Sequence, residues 1–155
     1  MITPNKTCSF FGHREIEITP ELKQKLYSII EDLIVNKNFV YFYFGGFGDF
    51  DSLCHEIVSE LKVKFPHIKR IFCLADPRHQ RISKRPKWLL SQDYEDFVYF
   101  DMPFDWWFQR IYYRNVEIID RSDFIIFYVK NTTNSGAYKA MQYATKKNLT
   151  FINIL

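Results

Sequence analysis

Six short segments dense in β-branched and aromatic residues alternate with helical patterns along this chain, and no other feature restricts its fold as strongly. The segments are TCSFF (7–11), FVYFYF (39–44), IKRIFCL (68–74), FVYF (97–100), FIIFYV (124–129) and TFINI (150–154). Most are apolar at consecutive positions, the pattern of strands covered on both faces. Helices must supply both covers, so the alternation predicts βαβ units, a mostly parallel sheet and a three-layer α/β fold. A length of 155 residues fits one domain spanning 1–155.

The first helix is framed by its ends. Thr19 caps it, Pro20 occupies the first helical position, and Leu22, Leu26, Ile29, Ile30 and Leu33 recur at helical spacing before an end near Asn36. A second helix is expected from Asp51, with Leu53, Ile57 and Leu61 inward and Asp51 as its N-cap, stopping before Pro66. A third runs from Asp105 to Arg121 with Trp107, Ile111 and Ile118 inward, and a fourth from Ser135 to Lys147 with Ala137, Met141 and Ala144 inward. The aromatic cluster Phe104, Trp106, Trp107 and Phe108 reads as core or dimer packing. Between Asp76 and Asp96, five basic residues fall within ten positions (Arg78, Arg81, Lys84, Arg85, Lys87) before acidic residues follow. This stretch reads as a solvated surface excursion, although loops of such length also cover sites.

Composition removes several classes. A net charge of +3 is too small to imply a nucleic-acid partner by itself. Cys8, Cys54 and Cys73 form no CxxC pair and have no neighbouring His cluster, so neither a metal centre nor a disulfide framework is expected. No apolar run approaches the ~20 residues of a membrane span, and no signal-peptide pattern opens the chain. A cytoplasmic protein without a membrane partner is expected.

In an open parallel sheet, ligands bind beyond the carboxyl ends of the strands. Three strand-to-helix junctions meet that condition: Gly12-His13-Arg14, the loop Gly45-Gly46-Phe47-Gly48 leading to Asp51, and Asn131 to Ala137 with Asn134, Ser135 and Gly136. All five glycines of the chain lie in them. Glycine lets backbone amides approach a phosphate, although a tight turn needs glycine without any ligand. The loop after the second strand lacks the Lys-Ser/Thr ending of a P-loop and the GxGxxG spacing of dinucleotide enzymes. Arg14 can meet an anion and His13 can exchange a proton near neutrality. On the third helix Arg114 and Asn115 lie beside the apolar stripe; Glu117 is a structural partner for Arg114, and a bound phosphate is the functional alternative.

The order CSFFGHRE, YFGGFGDFDSLCHEI, RIYYRNVEIIDRSDFIIFYV, NSGAYKAMQYATKKNLTFINI resembles the SLOG superfamily, particularly its small YpsA-like branch. The resemblance implies a Rossmann-like fold, and it extends to the LOG phosphoribohydrolases, which act on nucleoside 5′-monophosphates, and to the DNA-processing protein A group, which binds single-stranded DNA. It implies that Gly45, Gly46 and Gly48 form the first phosphate loop, Gly12, His13 and Arg14 the ligand-binding loop after strand 1, and Ser135 and Gly136 the second phosphate-binding turn, and it puts Arg114 at the LOG catalytic arginine. The LOG catalytic glutamate position falls at Ala140, so the acid is missing.

The expectation from all of this is a sensor of a nucleotide-derived phosphate ligand, with Asp51, Asn115 and Asn134 among the ligand contacts and no cofactor or metal. An N-glycosidase using Arg114 with an acid such as Glu117 or Asp51 is the alternative. Single-stranded DNA binding through Arg78 to Lys87 ranks third, and a homodimer fits the resemblance and the aromatic load.

Overall fold

A computed structural model describes residues 4–46, 48–103, 105–130 and 135–155. In chain order the elements are β1 (Lys6–Gly12), α1 (Pro20–Lys37), β2 (Phe39–Phe44), α2 (Asp49–Lys64), β3 (Lys69–Leu74), the short α3 (Lys87–Leu90), β4 (Asp96–Tyr99), α4 (Trp107–Asp120), β5 (Phe124–Tyr128), α5 (Gly136–Lys146) and β6 (Phe151–Asn153). The six strands form one sheet in the order β4-β3-β2-β1-β5-β6, with every pairing parallel. This is the three-layer Rossmann-like α/β architecture that consecutive apolar positions in the strands require.

Each face has its own core, and β1 feeds both. Cys8 and Phe10 pack with Leu26, Ile30 and Leu33 of α1 and Leu53, Ile57 and Leu61 of α2. Phe11 turns the other way, to Ile118 and Ile119 of α4 and Ala140 and Ala144 of α5. Alternate residues of a strand point to opposite faces, so a run without polar interruptions is what a doubly covered strand needs. Stacked rings knit the sheet, with Phe10 and Phe44 centroids 5.1 Å apart.

The chain leaves β1 outward through β2, β3 and β4, then returns across the sheet to place β5 on the other side of β1. That reversal is a topological switch point, where the helices after β1 and β5 leave on opposite faces and open a crevice. Thr19 caps α1 as its sequence demands, its Oγ1 accepting from the Leu22 N–H at 3.1 Å. Asn38 closes that helix in the left-handed region at φ 59°. Among the described residues, no helix is long and apolar enough to cross a membrane.

Several expectations need correction. The second helix begins at Asp49 with Gly48 as its N-cap, so Asp51 is the third residue of α2, in its first turn, rather than its cap. Trp107 is not inward but 43% exposed at the start of α4, and Trp106 and Phe108 are more exposed still, so they are not core; Phe104 lies outside the described residues. Glu117 pairs with Arg121, one turn on, instead of Arg114. The stretch after Asp76 is the surface excursion expected, with Arg78, Arg81, Lys84 and Lys87 exposed. Within it Arg78 grips both carboxylate oxygens of Asp76, and Arg85, half-buried, donates to the His79 carbonyl at 2.6 Å while its guanidinium lies 3.9 Å from the centre of the Phe97 ring on β4.

Candidate functional site

The three glycine junctions come together at the switch point. A cavity of about 370 Å³ is lined there by Gly12, His13 and Arg14 after β1, by Gly45, Gly46 and Asp51 after β2, and by Ser135, Gly136 and Ala137 at the start of α5. Its volume lies within the range of about 300–1,000 Å³ typical of small-molecule sites. Arg114 and Asn115 reach it from α4, completing the set. Gly48 is the exception, because it stands behind the site against Arg14, and Asn134 lies outside the described residues.

Arg114 is the centre of the wall. Its position on the inner face of α4 leaves it 6% exposed, and Asn115 equally so. One terminal nitrogen donates to the Gly45 carbonyl and the other to Asn115 Oδ1 at 2.9 Å. These bonds fix the guanidinium plane, while its Nε is buried with no hydrogen-bond partner among the described residues. Asp51 Oδ1 is in the same condition. Buried polar atoms are almost always satisfied, so two such orphans on residues that line one cavity require an explanation. Burial drives the Asp51 carboxyl up to about 7, against the pull of Arg114. Near neutrality this group can donate or accept a proton, which an ordinary surface aspartate cannot.

The glycines serve this arrangement in a way the sequence does not disclose. A Cβ on Gly46 would stand 2.2 Å from Asp51 Oδ2, and one on Gly45 would meet Ile118 at 2.9 Å and the Arg114 guanidinium at 3.1 Å. On Gly12 it would strike the Phe50 ring at 2.4 Å. These three clear space for side chains of the protein itself while they line the cavity. Gly136 differs, with nothing within 4 Å of the corresponding position. Ser135 caps α5, its hydroxyl accepting from the Tyr138 N–H at 3.1 Å. Helix geometry then leaves the Gly136 and Ala137 N–H groups without intrahelical acceptors at the cavity.

His13, expected to exchange a proton near neutrality, lines the cavity and also joins two of its loops. Its Nε2 accepts the Lys130 N–H at 2.9 Å, which a backbone donor permits only if that nitrogen is unprotonated. Burial and the Lys130 charge both lower its pKa. It is a neutral latch joining the loops after β1 and β5. A second strap runs from Asp49, whose N–H donates to the Arg14 carbonyl at 2.7 Å and whose carboxylate accepts from the Ile16 N–H at 3.0 Å.

The sequence reading missed the fourth wall. Asp76, His79 and Trp88 come from the excursion after β3, and Trp107 from the start of α4. Hydrogen bonds from Arg78 hold the Asp76 carboxylate down to about 2, so it is fully ionised and already engaged. The available signal was positional, since the excursion leaves the same sheet edge as the other three loops.

Fold and site together define an open parallel α/β protein with a polar-walled cavity at its switch point. No protein-family model matches the chain, and no curated protein shows significant similarity to it.

Proposed function

We propose that this chain is a cytoplasmic binding domain for a nucleotide-derived phosphate ligand, of the nucleoside monophosphate or ADP-ribose kind. One observation carries the reading: Arg114 and Asp51, each with a buried atom left unpartnered among the described residues, line the same cavity as the open N-terminus of α5. An anionic group at Gly136 and Ala137, near Arg14, meets N–H donors and positive charge. Beside that position, Asp51 and Arg114 offer a carboxyl and a guanidinium to the hydroxyls of a ribose. The resemblance to the SLOG superfamily points the same way.

The test is a thermal-shift panel of AMP, ADP-ribose, NAD and cyclic nucleotides at millimolar concentration. At least one is expected to stabilise the wild type by several degrees, with the shift largely lost in Arg114→Ala. A panel without any shift would sink the proposal.

Asp51 also favours a second reading, N-glycosidic hydrolysis with this carboxyl as the acid and Arg114 beside it. Its pKa of about 7 suits proton transfer at neutral pH. Ala140, where the resemblance puts the acid of LOG enzymes, is buried on the inner face of α5 and offers no such group. Chromatography of nucleoside monophosphates after prolonged incubation separates the readings, because hydrolysis releases free base and binding does not. Single-stranded DNA binding is weakened by the use of Arg78 and Arg85 inside the excursion's own fold. A homodimer rests on the resemblance and on the exposure of Trp106 and Phe108.

A further inference from the structure

The polar wall accounts for a phosphate and a sugar, but the cavity has an aromatic side that neither needs. Trp88 and Trp107 both line it while each remains 43% exposed. They come from separate elements, the short α3 and the first residue of α4, so their convergence is tertiary. Trp88 is braced by Phe72, which also lines the cavity, at a ring separation of 6.0 Å, and the Arg110 guanidinium lies 5.8 Å from the Trp107 ring centre. Two braced indoles half-open at a cavity mouth are costly to leave in water, because each carries a large apolar face.

We propose that Trp88 and Trp107 form a stacking subsite for the planar base of the ligand, and that the base is selected by ring area rather than by its hydrogen-bonding edge. The inference rests on the nucleotide-ligand reading above and names what that reading left open. A cationic guest is disfavoured, since Arg14 and Arg114 line the same space. On this side the polar side chains among the described lining residues are committed to one another: the Asp76 carboxylate is engaged through both oxygens by Arg78, with His79 Nε2 3.6 Å away. Stacking accepts any base because every base presents a π face. Adenine, guanine and hypoxanthine nucleotides therefore bind alike, and pyrimidine nucleotides bind more weakly through their smaller rings.

The experiment is calorimetric titration of AMP, IMP, CMP and ribose 5-phosphate into wild type, Trp88→Ala, Trp107→Ala and Trp106→Ala. Trp106 is 74% exposed, does not line the cavity and serves as the control. The expected result is AMP and IMP affinities within threefold of each other, both lowered about tenfold by Trp88→Ala or Trp107→Ala. Ribose 5-phosphate affinity should be unchanged in every variant, which also shows that the variants are folded. AMP binding that survives both substitutions, or a large preference between AMP and IMP, would overturn the stacking subsite while leaving the phosphate site standing. Failure of the wild type to bind both AMP and ribose 5-phosphate would overturn the two readings together.

Discussion

Asp51→Asn is expected to make the protein more stable, by an amount that grows with pH. The folded carboxyl sits near 7 against an ordinary 3.8, because burial opposes ionisation more than Arg114 favours it. The folded state therefore holds a proton that the unfolded chain has released. Stability is greatest below the unfolded value and falls as pH rises from about 4 to about 7, then levels off. The loss sums to roughly 4 kcal/mol when the whole interval is crossed. Asparagine keeps the shape but does not ionise, so the gap between variant and wild type opens through this window and stays constant above it. At about 2–4 °C per kcal/mol, the melting temperature at pH 8 rises by roughly 10 °C. Urea unfolding at pH 4.5, 6 and 8 measures the gap directly, and parallel stability curves for the two proteins would contradict it.

That carboxyl also shows where the sequence stops being legible. The strands were readable to within one or two residues because runs such as FVYFYF have a single solution, a strand between two helical layers. Thr19-Pro20 marked the start of α1 for an equally local reason. Asp51 was misread because Gly48 caps α2 without any side-chain hydrogen bond, a cap that leaves little trace in the residue types. Starting the helix two residues earlier turns a capping aspartate into a wall of the cavity. The excursion after Asp76 was legible as a charged surface stretch, and what its sequence hid was the one cation that is half-buried, Arg85, whose guanidinium lies over the Phe97 ring of β4. Trp107 lies on the helical stripe of Ile111 and Ile118, but as the first residue of α4 it projects beyond the sheet that would have buried it. Location was encoded by the strand-to-helix junctions, whereas the reason for each glycine depended on neighbours distant in the chain.

Two of those glycines are expected to respond to the same substitution in opposite ways. Gly48 has φ +123°, and a Cβ there would lie 2.6 Å from the Arg14 Cα. The obstacle is main chain rather than a side chain that can rotate away, and the Asp49 N–H bond to the Arg14 carbonyl ties the two segments together at 2.7 Å. Gly48→Ala must strain its own backbone and displace the loop after β1, for a loss of about 3 kcal/mol. In a chain of this size that lowers the melting temperature by roughly 6–12 °C. At Gly136 the methyl group enters open space at the first position of α5, where alanine is the better helix former. Gly136→Ala therefore leaves stability unchanged or raises it by up to about 1 kcal/mol. Its effect falls on the ligand instead, because the added methyl stands beside the N–H groups assigned to the anion and weakens nucleotide binding without weakening the fold. Thermal melts of both variants, with and without AMP, separate the two roles. A glycine kept for the chain's own packing loses stability, and one kept for a guest loses only the ligand-induced shift. Equal destabilisation by both substitutions would mean that Gly136, too, is there for the turn.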